Sequence, residues 1–145
     1  MTEPGLLPAA LDDRDVLSPL VEEALRLGSA AARIDRFASC DVTIGRAAIA
    51  KDGLVIISLA AANRDPASFD EPDAFRLDRG GDAHVAFALG PHVCMGQHVA
   101  RMETLALLDA VLDGLPCIVL DSNKSVGPAG LVFRKPAVVA ATWAP

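Results

Sequence analysis

The chain has 145 residues, 52% of them hydrophobic, and a formal net charge of -6 at pH 7. That length suits one domain or one large piece of a domain, and the apolar share supplies a core and excludes a disordered chain. The acidity excludes nucleic acid and anionic membrane surfaces as default partners, because both call for clustered Lys and Arg.

The opening stretch "MTEPGLLPAA" has no basic segment followed by a long apolar one, so no signal peptide is expected. Pro4, Gly5 and Pro8 predict a loop leading into a short helix near Ala9 to Leu11. "SPLVEEALRLG" then predicts a helix over 18–27, with Ser18 as N-cap, Pro19 at the first helical position and Gly28 as the stop. Leu20, Ala24 and Leu27 fall on one stripe at helical spacing, the expected buried face. "FASCDVTIG" and "LVIISL" are β-leaning runs parted by the turn signal "KDG", which predicts strands over about 37–58. A polar loop rich in Pro and Gly spans 60–96, and loops that long are functional or packed on something.

"QHVARMETLALLDAVLDGLP" predicts a helix over 97–113, stopped by Gly114 and Pro116 and buried on Val99, Met102, Leu105, Leu108 and Leu112. Strands in "CIVLD", "GLVFR" and "AVVAATW" complete the region 117–143. The longest apolar run, near "LVIISLAAA", falls short of the ~20 residues that cross a bilayer, so no membrane partner is expected. The fold class is α+β: one domain over 1–145, with two main helices, short strands and a long loop.

The cysteines are Cys40, Cys94 and Cys117, widely spaced and without a C-x-x-C pair. This is neither a disulfide framework nor a zinc motif, and reduced thiols in the cytoplasm are expected. Cys40 and Cys117 read as structural. A cysteine in an apolar region is more often a packed hydrophobe than a ligand. Cys94 has surroundings that reverse this preference. It lies just before a helix, where free N–H groups and the helix dipole favour an anion and hence a thiolate. Gly90 and Gly96 flank it, leaving room for backbone to approach a flat group. Phe87 is placed to shield the sulfur from water, and His92 to donate to an anionic group.

The run "FALGPHVCMGQHVAR" resembles the heme-binding loop of the cytochrome P-450 monooxygenases, F-x-x-G-x-H/R-x-C-x-G-x-x-L-A-R. Phe87, Gly90, His92, Cys94, Gly96, Ala100 and Arg101 match, and Val99 stands where leucine is usual. The resemblance implies the C-terminal part of that mainly helical fold, of the bacterial camphor-hydroxylase type, with heme b (iron protoporphyrin IX) as cofactor. It implies that Cys94 is the axial iron ligand, and thiolate donation favours O–O cleavage. "EALR" resembles the family's E-x-x-R helix as Glu23 and Arg26, with Arg79 of "FRLDR" as the second arginine of a structural lock. In the alternative frame that arginine falls at Ala74. By the same resemblance Arg36 and His92 pair with the heme propionates. "NRDP" matches a family segment, "IAKDG" departs from the usual I-P-x-G, and the last residues resemble a hairpin whose side chains reach the substrate pocket, as Leu131 and Val132 would, although on sequence grounds these two read as core residues.

The long distal helix with its acid/alcohol pair has no counterpart here, and no A/G-G-x-D/E-T sequence occurs. The expected function is therefore the C-terminal portion of a monooxygenase that inserts one oxygen atom from O2 into a small apolar substrate when a distal half complements it. Its expected partners are a complementary chain or a second copy over the distal face and a ferredoxin-type electron donor, which Arg101 and His98 would face. The alternatives are a stand-alone heme-binding or sensing protein and a heme-free dimerising module.

Overall fold

The computed structural model describes residues 5–79 and 84–143. The expected N-terminal loop at Pro4 and the middle of the long loop, 80–83, lie outside the described residues. The chain order is α1 (Leu6–Asp12), a 3-10 turn (Arg14–Val16), α2 (Leu17–Leu27), β1 (Arg33–Phe37), β2 (Val42–Ile44), β3 (Ala47–Ile49), β4 (Leu54–Ser58), α3 (Leu59–Ala62), a second 3-10 turn (Gly90–His92), α4 (Gln97–Gly114), β5 (Val119–Leu120) and β6 (Ala141–Thr142).

Helix α2 begins without a side-chain cap of its own, because the preceding 3-10 turn runs straight into it. That turn is capped by Asp13, whose carboxylate accepts the Asp15 N–H at 2.9 Å. Ser18 therefore lies inside the helix, where no capping bond is needed. At the other end the Gly28 N–H reaches the Ala24 carbonyl at 2.8 Å. The buried face of α2 is not the expected apolar stripe. Leu17, Val21, Glu23 and Arg26 are buried, whereas Leu20 and Leu27 are half-buried and Ala24 is exposed. The long loop closes over the charged pair, and a fully hydrogen-bonded ion pair tolerates burial that an isolated charge does not.

The apolar core is small and lies at one end. Ala10, Leu17 and Leu112 are buried together, with Leu7, Leu11, Val16, Leu105 and Leu108 packed around them. Only the C-terminal half of α4 takes part. Val99 and Met102, expected in its buried face, stay 53% and 66% exposed. Arg14 ties the end of α4 to the 3-10 turn before α2 through Asp113, at 2.8 Å.

Strands β1 and β4 pair antiparallel, from Arg33 opposite Ser58 to Phe37 opposite Leu54. Between them β2 and β3 form a hairpin whose two-residue turn starts at Gly45, with φ 60°. Strand β4 feeds α3, where the Ser58 hydroxyl accepts the Ala61 N–H at 3.1 Å. Strands β5 and β6 pair over two residues each. The expected strand in "GLVFR" is reduced to isolated bridges, Ala31 with Phe133 and Ala129 with Lys135. Pro128 and Pro136 flank that run and have no N–H to extend a ladder.

The accessible surface is 9947 Å². A folded monomer of 15.1 kDa is expected to expose about 7,100 Å² by the usual scaling of surface with mass. The excess is apolar in part: Phe37, Leu89, Met95, Leu131, Phe133 and Trp143 are all more than half exposed. No described helix is long and apolar enough to cross a membrane.

Candidate functional site

Glutamate 23 sits at the centre of the long loop's anchorage. Its Oε1 accepts Arg26 Nη2 at 2.7 Å, Arg79 Nε at 2.9 Å and the Arg76 backbone N–H at 3.0 Å. Its Oε2 accepts Arg26 Nε at 2.7 Å. The remaining Arg26 donors reach backbone carbonyls of Asn63, Pro72 and Ala74 at 2.8, 2.7 and 3.0 Å. The guanidinium lies 5.0 Å from the Phe69 ring centroid. Arg79 also donates to the carbonyls of Asp70, Glu71 and Ala74. Ala74 therefore contributes its carbonyl to the same node, and the guanidinium comes from position 79. Burial pushes the Glu23 carboxyl up, but hydrogen bonds from Arg26, the Arg76 N–H and Arg79, with the Arg26 charge, outweigh it and hold the group below its ordinary 4.5.

Beside this node stands Asn63, which sequence reasoning did not single out. It is fully buried. Its Nδ2 donates to Ser29 Oγ at 2.8 Å, and its Oδ1 accepts the Val85 N–H at 2.7 Å. It thus joins the start of the loop to the segment that precedes the cysteine. The "NRDP" run was the available signal, but only as a match, because its bonding partners are far away in sequence.

Cys94 is exposed, at the far end of the loop. Its backbone N–H donates to the Phe87 carbonyl at 3.0 Å, and its carbonyl accepts the Gln97 N–H at the start of α4, at 3.2 Å. The two flanking glycines serve different ends. Gly90 has φ 77°, a left-handed conformation that disfavours any side chain. Gly96 has φ -80° and needs no such freedom, but a Cβ there would lie 3.9 Å from Cys94 Sγ. Its absence keeps that flank of the sulfur bare. Pro91 opens the 3-10 turn that carries His92, which is exposed. Arg36 is exposed on β1 and donates to the Asp35 carbonyl at 2.9 Å. Among the described residues no hydrogen bond joins Arg36 or His92 to Cys94. Cys40 and Cys117 are exposed as well, so neither is a packed core residue.

Arg101 departs from the expected docking face. It is held inward: Glu22 accepts its Nε at 2.6 Å and its Nη2 at 2.8 Å, and Gln97 accepts its Nη1 at 3.0 Å. His98 is exposed.

These residues fit heme. No group of three or more His, Cys, Asp or Glu able to hold a metal ion occurs among the described residues. A single thiolate suits a metal that brings its other donors with it, as a macrocycle does. The thiol is exposed, its flank at Gly96 is bare, and Leu89 and Met95 of the same loop are 72% and 95% exposed.

The comparisons with known proteins point the same way. The Cytochrome P-450 family model matches residues 9–122. The 20-oxo-5-O-mycaminosyltylactone 23-monooxygenase of Streptomyces fradiae is 48% identical over 116 residues, which is 79% of this chain and 25% of that protein. The 6-deoxyerythronolide B hydroxylase of Saccharopolyspora erythraea is 34% identical over 136 residues, 92% of this chain and 34% of that protein. The crystal structure of P450BioI with a hexadec-9Z-enoic acid ligated acyl carrier protein superposes with a TM-score of 0.91 at 31% identity, over 98% of this chain and 37% of that one. The chain spans about a quarter to a third of the length of these relatives. With a family model that spans most of the chain and relatives of this kind on both comparisons, it belongs to the cytochrome P-450 family.

Proposed function

We propose that this chain is the cysteine-bearing C-terminal portion of a heme-thiolate monooxygenase, inserting one oxygen atom from O2 into a small apolar substrate once a distal half completes the fold. The observation that carries the reading is an open Cys94 thiol, its amide tied to Phe87 and its flank kept bare by Gly96. The names of the two relatives above denote oxygen insertion into different molecules, so they support the reaction class and leave the substrate open.

In this reading Cys94 would hold the heme iron through its thiolate, and the group would supply the O2 activation. The chain's own residues bind and orient the group. Phe87 fixes the cysteine backbone through its carbonyl, and hydrogen bonding and burial around a metal thiolate tune it. Gly90 and Gly96 admit the ring. His92 and Arg36, both exposed, pair with the propionates. Glu23, Arg26 and Arg79 hold the loop that presents the thiol. A ferredoxin-type donor supplies electrons, a complementary chain or a second copy covers the distal face, and the setting is the cytoplasm.

The test is the spectrum of reduced, CO-treated protein reconstituted with heme. A thiolate-type Soret band that vanishes in Cys94→Ala is expected. Failure of the chain to take up heme overturns the reading. Turnover with a ferredoxin-type donor is expected only when the distal half is added.

A further inference from the structure

Next to the glutamate that anchors the loop is a second one that the proposed function does not use. Glu22 Oε2 accepts His84 Nε2 at 2.9 Å, alongside the two bonds from Arg101 described above. The Ala86 N–H lies 3.2 Å from His84 Nδ1, so both ring nitrogens have a partner. The cluster is sheltered, with side chains exposed by 4% at His84, 13% at Glu22 and 24% at Arg101. Burial pushes the Glu22 carboxyl up, but bonds from Arg101 and His84 outweigh it and hold it ionised below its ordinary 4.5.

Both cationic and aromatic partners of this carboxylate converge on Phe87. The Arg101 guanidinium lies 4.7 Å from the Phe87 ring centroid, and the His84 ring is tilted 43° with its centroid 6.4 Å away. Phe87 is the residue whose carbonyl takes the Cys94 N–H. Val85, between them, is held by Asn63. The segment 84–87 is thus fixed from α2, α3's end and α4 at once. None of Glu22, His84 and Arg101 belongs to the apolar core of Ala10, Leu17 and Leu112.

We propose that Glu22, with His84 and Arg101, forms a positioning network that sets the Cys94 loop by fixing Phe87. The two neighbouring glutamates of α2 then divide the work. Glu23 holds the loop on its 76–79 side, and Glu22 holds it on its 84–87 side, where the thiol is presented. The inference draws its importance from Cys94 as an iron ligand, but its geometry stands without heme.

The experiment uses amide hydrogen exchange on the heme-free full chain, which does not depend on heme uptake. Glu22→Gln keeps the shape but weakens the acceptor. His84→Asn keeps an acceptor for the Ala86 N–H but is too short to reach Glu22, and His84→Gln restores that reach. Expected is exchange at the Cys94 amide about tenfold faster in Glu22→Gln and His84→Asn, with Leu108 and Leu112 in α4 changed less than about twofold. His84→Gln should recover part of the protection. In heme-loaded protein the same two variants should lose part of the thiolate-type Soret band. Unchanged exchange at Cys94 in folded variants overturns the proposal. So does equal acceleration at Cys94 and in α4, which would mean a merely structural role. If Glu22→Gln does not fold, the His84 pair decides, and loss of folding in all three variants overturns the proposal as well.

Discussion

Ala88 has φ 61°, one residue after Phe87 in the cysteine loop. A left-handed alanine costs roughly 1–2 kcal/mol in crowding of its Cβ, and glycine escapes this at up to about 1 kcal/mol of extra unfolded-state entropy. Ala88→Gly should therefore stabilise the chain by up to about 1 kcal/mol, and Gly90→Ala should destabilise it by about as much. Urea midpoints measured at unchanged slope would show both shifts. The acidic residues set a pH dependence. Glu22 and Glu23 titrate below their ordinary 4.5 when folded, so the folded chain binds fewer protons than the unfolded one near that pH. Their contribution is complete above about 5 and is lost as pH falls through their folded values. The urea midpoint should hold from pH 7 to about 5 and then drop, and Glu22→Gln should flatten the drop. Of these residues, Cys94 stood out through its own surroundings, and Glu23 and Arg26 through the E-x-x-R match, since alone they read as a solvated surface pair. Glu22 did not, because its partners are 62 and 79 residues away and a helical glutamate alone reads as a solvated one.

At the scale of elements, two main helices and short strands were legible from periodicity and turn residues. Their buried faces were less so. The apolar stripe of α2 is only half covered because the long loop seals the charged side instead, and no periodicity encodes where a loop returns. The "GLVFR" run fails as a strand for a reason visible at Gly130. Its φ is 130°, and a Cβ there would meet the Phe133 carbonyl oxygen at 1.9 Å. That turn bonds the C-terminal region to the segment after α2, through Ala32 N–H to the Val132 carbonyl at 2.8 Å and Arg134 N–H to the Ala30 carbonyl at 2.7 Å. Gly130→Ala cannot be accommodated without opening the turn. Exchange at the Ala32 and Arg134 amides should rise well over tenfold while the interior of α4 stays protected.

For the whole molecule, the surface of 9947 Å² is the governing fact. Apolar area beyond what a 15.1 kDa monomer exposes favours association. The chain by itself should bind a hydrophobic dye strongly and sediment faster as its concentration rises. Heme, and then a chain carrying the distal half, should each reduce the dye signal. A monomer that neither binds dye nor self-associates would show that the open faces close on one another in solution.

The Arg26 node also has a kinetic consequence. Glu23 lies one helical turn away, but the carbonyls that complete the site lie 37, 46 and 48 residues along the chain. Helix formation is local and early, whereas closing segments that long is slow. The expectation is that the guanidinium is sealed late, after the barrier. Arg26→Ala should speed unfolding in stopped-flow measurements and leave the refolding rate nearly unchanged, which makes this node the latch of the fold and not its seed.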